Sequence, residues 1–177
     1  LSWKQNVNST QDSYYIWYRP LLNIFPSLWK QKATNDLHVT LNDMYAGERY
    51  ELIVFAVSRT EMSLPKSTYA EIMPLKPTEV KVIEVTISTI KLTWSYNKSA
   101  SYLEDFEVTY RHFHSNGEGV RVVDGKNVTS VVTLENLVSG ETYEVSIQST
   151  TANLTSEPYS LNVTVKPECL TALLENT

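Results

Sequence analysis

The chain carries an internal repeat, and this repeat constrains its fold more than any other feature. Residues 41–50 read LNDMYAGERY and residues 134–143 read LENLVSGETY, so a leucine, a glycine and a tyrosine recur at matching positions without a gap. At 177 residues the chain has room for one large domain or for two of about 90 residues. The repeat favours two copies of one domain.

Shorter matches extend the repeat on both sides of this stretch. Leu1-Ser2-Trp3 matches Leu92-Thr93-Trp94, Tyr14-x-Ile16-x-Tyr18 matches Phe106-x-Val108-x-Tyr110, and Lys76-Pro77 recurs as Lys166-Pro167. The small drift in spacing belongs in loops. We therefore predict a first module over residues 1–76, a complete second module over residues 77–166, and the start of a third module or a tail over residues 167–177.

The pattern of apolar residues predicts β-strands. Apolar side chains alternate along residues 50–56 and again along residues 143–147, which places one side of each strand in a core. Each strand opens with a tyrosine three residues after a glycine that suits a turn of positive φ. Such a tyrosine can bury its ring and return its hydroxyl to nearby backbone. The predicted core aromatics are Trp3, Tyr18, Tyr50, Trp94, Tyr110 and Tyr143.

Taken together, these motifs resemble the fibronectin type III family. They are Leu-x-Trp, then Tyr/Phe-x-Ile/Val-x-Tyr, then Leu-x-x-Leu/Met-x-x-Gly-x-x-Tyr, and each occurs twice. The resemblance covers nearly the whole chain. It implies an all-β fold of two tandem, immunoglobulin-like β-sandwiches with about seven strands each.

The resemblance also assigns individual strands. In the second copy it implies strand A near residues 80–85, B near 87–95, C near 106–113, C′ near 120–123, E near 129–134, F near 143–149 and G near 159–165. The first copy begins at strand B, so we expect its strand A to precede Leu1. The junction at residues 73–77 carries two prolines, which restrict φ, and we expect an elongated molecule.

Charge and hydropathy exclude two classes of partner. The net charge of −5 and pI of about 5.2 offer no cationic surface for a phosphate backbone, so nucleic acid is not expected. The longest apolar runs are strand-sized and fall short of the ~20 residues that a bilayer requires. No membrane span is expected within these residues, and no signal peptide is visible at Leu1.

The sequence offers little for catalysis. His112 and His114 alternate on predicted strand C and could share a metal, but third and fourth ligands are not evident; His38 stands apart. Cys169 has no predictable base, although it could pair with a cysteine elsewhere. Residues 116–119 read NGEG and are typical of a hairpin turn. We expect no enzymatic activity, no metal and no cofactor in this fragment.

The outer faces of the two modules differ. In the second module the residues that alternate with the core are polar, for example Glu107, Thr109, Ser146 and Gln148. In the first module the equivalent residues are mostly apolar and aromatic, and we call them the aromatic face. We consider this face a candidate surface for binding a protein ligand or another copy of the chain, because Trp, Tyr and Arg are enriched in interface hot spots. A neighbouring loop or a glycan folding over the rings is the alternative. The aromatic face comprises Tyr15, Trp17, Arg19, Trp29, Ile53, Phe55 and Val57.

Compartment is indicated by asparagine sequons. Five sites match Asn-x-Ser/Thr, which is an acceptor for N-linked glycans only in a secreted chain: Asn8, Asn97, Asn127, Asn153 and Asn162. The alternative explanation for the number of sequons is a polar strand surface rich in asparagine and threonine. The enrichment favours the extracellular side of the plasma membrane, in a single-pass membrane protein, with a secreted protein as the alternative.

Several parent proteins carry such modules. Short loops, sequons and the Leu-x-x-Gly-x-x-Tyr rhythm resemble the ectodomains of receptor-type protein tyrosine phosphatases. Cell-adhesion molecules and receptor tyrosine kinase ectodomains are alternatives, as is an accessory module of a secreted enzyme. We expect a non-catalytic receptor fragment that mediates ligand or cell–cell recognition and spacing, although the parent can carry a cytoplasmic phosphatase or kinase domain.

Overall fold

The computed structural model describes residues 1–5, 10–21, 28–59, 61–112 and 130–169. Within these ranges all regular secondary structure is β-strand and every pairing between the strands named below is antiparallel, so the predicted all-β class is confirmed. The strands are β1 (Ser13–Pro20), β2 (Lys30–Thr34), β3 (Arg49–Ser58), β4 (Glu61–Met62), β5 (Lys66–Glu71), β6 (Thr78–Val85), β7 (Ile90–Ser95), β8 (Asp105–His112), β9 (Val131–Leu134), β10 (Thr142–Thr150) and β11 (Tyr159–Thr164).

The chain divides into two compact units. The first comprises Leu1–Met73 with Ala100–Tyr102, and the second comprises Pro74–Ser99 with Leu103–Thr177. The module boundary that we predicted after Lys76 lies close to this division and stays a prediction.

The first unit is built on one sheet. Its order is β2-β1-β3, and β3 pairs on its other side with both β4 and β5. Opposite this sheet, the Trp3 N–H donates to the Leu37 carbonyl at 3.0 Å and the Val39 N–H donates to the Leu1 carbonyl at 2.9 Å. The predicted strand B of this copy is thus a short paired segment. Its Trp3 ring is half-buried and lies edge-on to Tyr14, with 5.1 Å between centroids.

The second unit is a sandwich of two three-stranded sheets, with orders β11-β10-β8 and β6-β7-β9. Alternate side chains of both sheets fill a single buried cluster, in which Trp94 of β7 meets Phe106 of β8 at 5.2 Å between centroids. Tyr110 is partly buried against the same cluster. The alternation of apolar residues in the sequence therefore predicted strands of both sheets.

One strand begins later than predicted. We expected strand B of the second copy from residue 87, but β7 begins at Ile90. The Thr86 hydroxyl oxygen accepts the backbone N–H groups of Ser88 and Thr89, at 3.2 and 3.0 Å, and holds residues 86–89 in a turn. Predicted strand C′ lies outside the described residues.

A tyrosine corner stabilises each unit. The Tyr50 hydroxyl accepts the Tyr45 N–H at 2.8 Å, and the Tyr143 hydroxyl accepts the Val138 N–H at 2.9 Å. Both rings are buried. Gly47 and Gly140, which precede them by three residues, both have a φ of 78°, as the turn prediction required.

Candidate protein-binding face

Strand register places the aromatic face on one side of the first sheet. Tyr15 of β1 is opposite Phe55 of β3, and Trp17 is opposite Ile53. Directly opposed residues share a face, and adjacent residues along a strand lie on opposite faces. The intervening Ile16 is fully buried, whereas Trp17 is 37% exposed. The rings of the aromatic face therefore point away from the core.

Three aromatic rings form a row that crosses β1 and β3 and ends beside the start of β2. The Trp17 ring lies between Trp29 and Phe55, at centroid distances of 6.4 and 5.8 Å with tilted or edge-on geometry. Trp29, which immediately precedes β2, is 38% exposed. Edge-on and tilted contacts are favourable for aromatic rings and hold the row in a defined shape.

Arg19 is fixed at one end of this row. Its guanidinium carbon lies 4.5 Å from the centroid of the Trp29 ring, and its Nη2 lies 2.8 Å from Glu51 Oε2. The arginine is thus held by a cation–π contact and by a charge-assisted pair at once. Its charge is neutralised locally, so the aromatic face at this end is both ordered and uncharged overall.

The remaining residues of the aromatic face are less accessible. Tyr15, Ile53 and Phe55 are half-buried. Val57 is 9% exposed and contributes little open surface. The accessible part of the aromatic face is therefore centred on Trp17 and Trp29.

Sequence reasoning missed a neighbouring pair on the same side of the sheet. Tyr69 of β5 is opposite Glu51, is 56% exposed, and lies under the Arg49 guanidinium at 4.8 Å. Arg49 also approaches Glu71 at 3.7 Å. A strand assignment for residues 66–71 would have revealed Tyr69, because it alternates with Ala70 of the core face.

A charged cluster lies at the rim of the core side of the same sheet. The Tyr18 hydroxyl donates to Asp43 Oδ1 at 2.7 Å, and Lys30 Nζ lies 2.7 Å from Asp43 Oδ2. Burial, followed by the bond to Asp43, raises the pKa of Tyr18 to about 12. The bonds from Lys30 and then Tyr18 lower the pKa of Asp43.

The sequons that the structure describes are all at the surface. Asn97, Asn153 and Asn162 are exposed, and Asn162 lies in the middle of β11. Asn8 and Asn127 lie outside the described residues. Asn97 Oδ1 accepts both the backbone N–H and the hydroxyl of Ser99, at 3.1 and 2.8 Å, in a local turn.

Only some of the candidates for metal binding and covalent chemistry fall within the described residues. His112 Nε2 lies 3.0 Å from Glu141 Oε2, and His114 lies outside the described residues. Among the described residues there is no group of three potential metal ligands and no helix that could span a membrane. Cys169 is exposed and free.

Two antiparallel units, each with a tyrosine corner, define the chain as a tandem of immunoglobulin-like β-sandwich modules. The sequence profile of the fibronectin type III domain matches residues 75–166, which are more than half of the chain. The chain therefore belongs to the fibronectin type III family, whose domains are in general non-catalytic binding modules and are typical of extracellular adhesion proteins and receptor ectodomains.

The chain is similar to several solved structures. A two-domain fibronectin type III segment from chicken tenascin is 20% identical with a TM-score of 0.70, over 93% of this chain and 90% of that chain. The FN1–FN3 domains of chicken CNTN1 are 18% identical with a TM-score of 0.47, over 88% of this chain and 55% of that chain. A computationally redesigned β-sandwich protein is 26% identical with a TM-score of 0.48, over 55% of this chain and 96% of that chain. At this identity the tenascin likeness shows the fold alone. No curated protein matches the sequence.

Proposed function

We propose that this chain is a non-catalytic extracellular segment of a cell-surface receptor, and that its first unit binds a protein through the aromatic face. The observation that carries this proposal is the row of rings formed by Trp29, Trp17 and Phe55 on the outer side of the sheet. Exposed aromatic and arginine side chains are the groups that contribute most to binding free energy at protein interfaces. Their order before binding reduces the entropy lost on association.

The second unit provides an internal comparison. Thr109 of β8 is directly opposite Ser146 on the neighbouring strand β10, as Trp17 of β1 is opposite Ile53 of β3 in the first unit. The second unit has polar side chains where the first has rings, on the same family scaffold. The rings are therefore not required by the fold, and this supports a role in binding.

The binding test compares these two matched pairs. Trp17→Thr with Ile53→Thr removes the centre of the aromatic face, while Thr109→Ala with Ser146→Ala alters the equivalent positions of the second unit. Each glycosylated chain, fused to a dimeric tag, is presented to a panel of purified cell-surface ectodomains that includes the chain itself. We expect the first variant to weaken binding by about 30-fold or more. Binding that survives in the first variant, or that only the second variant abolishes, would contradict the proposal.

We infer further that the parent is a single-pass receptor-type protein tyrosine phosphatase. The sequons, the short loops expected from the sequence and the Leu-x-x-Gly-x-x-Tyr motifs support this inference. Adhesion molecules and receptor tyrosine kinases are the alternatives. Sequencing the full-length transcript decides between them, because the phosphatase inference requires a downstream membrane span followed by a cytoplasmic phosphatase domain.

A spacer role is the second candidate function, and the polar second unit favours it. Three exposed sequons lie in that unit, at Asn97, Asn153 and Asn162. Glycans at these sites would cover protein surface and keep other proteins away from it. The second unit would then act as a spacer in the parent, whether that parent is a receptor, an adhesion molecule or a secreted enzyme.

A further inference from the structure

The terminal strand β11 has an open edge. In the part of the chain that the structure describes, β11 is hydrogen-bonded to β10 alone. Among the described residues no strand pairs with the other side of β11, so a strand of another molecule could extend the sheet there. Such an edge is a template for intermolecular pairing and aggregation unless something blocks it.

Other terminal strands of the two units carry recognisable protection. β2 contains Lys30 and Lys32, and β5 contains Lys66 and Glu71. β6 has three charged residues and two irregularities in its register with β7. β9 has only four residues. Charge, irregularity and short length are the usual means by which natural sheets prevent edge-to-edge pairing.

β11 has none of these features. Its six residues read YSLNVT, without a charged residue or a proline. Segments of this kind, with alternating apolar residues and no charge, have a high tendency to stack as β-structure. The strand needs another form of protection if the chain is to stay soluble.

The one polar group suited to this task is Asn162, at the centre of β11. Asn162 is exposed, and the next residue, Val163, is buried in the core. Thr164, which completes the sequon, is exposed on the same face, and its hydroxyl lies 2.8 Å from that of Thr142. Ser146 and Ser160 form a similar hydroxyl pair at 3.1 Å on the other side of Asn162. A glycan on Asn162 would therefore project from a polar surface at the middle of the open edge.

We propose that an N-linked glycan on Asn162 shields the open edge of β11 and prevents intermolecular strand pairing. This inference rests on the proposed extracellular location, since only a secreted chain receives the glycan. A branched glycan is bulky, hydrated and covalently attached, so it would sterically hinder a second strand from pairing with the edge.

The test uses variants rather than enzymatic removal of glycans. Peptide N-glycosidase converts a glycosylated asparagine into aspartate, which would place a protecting charge on the same strand. Asn162→Gln and Thr164→Val each remove the sequon without adding charge, and Asn153→Gln removes a sequon outside β11 as the matched control. Asn162→Lys lacks the glycan but restores a charge to the edge. All four are secreted from mammalian cells, their folding is checked by circular dichroism, and site occupancy is read by glycopeptide mass spectrometry.

Sedimentation velocity at about 10–100 μM then measures self-association. We expect Asn162→Gln and Thr164→Val to raise the weight-average mass about twofold or more over the wild type, while Asn153→Gln and Asn162→Lys sediment like the wild type. A wild-type Asn162 without glycan, in a protein whose Asn97 and Asn153 are glycosylated, overturns the edge-shielding proposal and leaves the extracellular one standing. Absence of glycan at all five sequons overturns both. Unchanged sedimentation of Asn162→Gln also overturns edge shielding.

Discussion

The Tyr143 hydroxyl accepts a backbone N–H from the turn that precedes β10. It lies 2.9 Å from the N–H of Val138, in the turn that leads into β10. We expect Tyr143→Phe to reduce the free energy of unfolding by about 1–3 kcal/mol, because the Val138 N–H loses its partner while the ring stays in place. Tyr50→Phe should behave alike in the first unit, where the Tyr45 N–H is the donor.

Chemical denaturation followed by tryptophan fluorescence measures both changes. Tyr69→Phe is the control, since Tyr69 is 56% exposed and the same atom is removed from the surface. Stability losses from Tyr143→Phe no larger than that of the control would show that the tyrosine corner contributes nothing beyond the burial of its ring.

A second prediction at the scale of single residues concerns Tyr18. Its pKa is raised to about 12 from an ordinary value near 10, so the folded chain holds this proton more tightly than the unfolded chain. The contribution to stability is complete below pH 10 and is lost as the pH rises from about 10 to about 12. Asp43→Asn removes the negative charge beside the Tyr18 hydroxyl but leaves burial, which is the largest cause of the shift. We expect the Tyr18 pKa to fall in this variant and to remain above its ordinary value.

Phenolate absorbance during an alkaline titration measures this pKa, with Tyr18→Phe identifying the transition that belongs to Tyr18. The Asp43 carboxyl affects stability at acidic pH instead. Lys30 and Tyr18 lower its pKa, so its contribution is present above the ordinary carboxyl range and is lost as the pH falls through the lowered value. An unchanged Tyr18 titration in Asp43→Asn would contradict the role assigned to the carboxylate.

At the scale of the strand, β1 presents two faces with opposite requirements. Ile16 is fully buried and Trp17 is 37% exposed, although they are adjacent. We expect Ile16→Ala to cost about 2–5 kcal/mol of unfolding free energy, because it leaves a cavity in the core. Trp17→Thr should cost less than about 1 kcal/mol, since threonine suits a strand and the ring is at the surface.

Urea denaturation of the two variants gives the comparison directly. A loss from Trp17→Thr that approaches the loss from Ile16→Ala would mean that Trp17 is a core residue. The binding experiment on the aromatic face would then need a different variant, because loss of binding would reflect unfolding.

The same strands show what the sequence could and could not predict. Alternation along β1 and β3 identified the aromatic face, because side-chain direction follows from parity within one strand. The approach of Glu51 to Arg19 and of Tyr69 to Arg49 depends on the register between neighbouring strands. Register is set by loops and by packing, which a single sequence does not specify. The late start of β7 has a local cause in the Thr86 hydroxyl, which competes with strand pairing.

Across the whole chain, the duplicated motifs account for the fold but conceal a difference between the cores. In the second unit one continuous buried cluster draws on β7, β8, β9, β10 and β11. In the first unit the buried core residues of the described ranges fall into two smaller clusters, one around Ile16 and one around Leu52, and the partly buried Leu41 packs against both. The tryptophan and tyrosine motifs are common to both copies, so the sequence repeat alone did not predict this difference.

Stability should therefore be distributed unevenly along the chain. Amide protons exchange with solvent through local or global opening, and the free energy of opening rises with the apolar area that a region buries. We expect the amides of β7 and β10, for example those of Leu92 and Val145, to exchange more slowly than those of Ile16 and Leu52 in β1 and β3. Hydrogen exchange followed by nuclear magnetic resonance measures this order for each residue in one sample.

Equal or reversed protection would show that packing in the first unit is as extensive as in the second. The aromatic face would then lie on a sheet as rigid as any in the molecule. The expected order instead places the proposed binding surface on the less stable unit. A partner that covers the rings of Trp17 and Trp29 would then stabilise the sheet beneath them and slow its exchange.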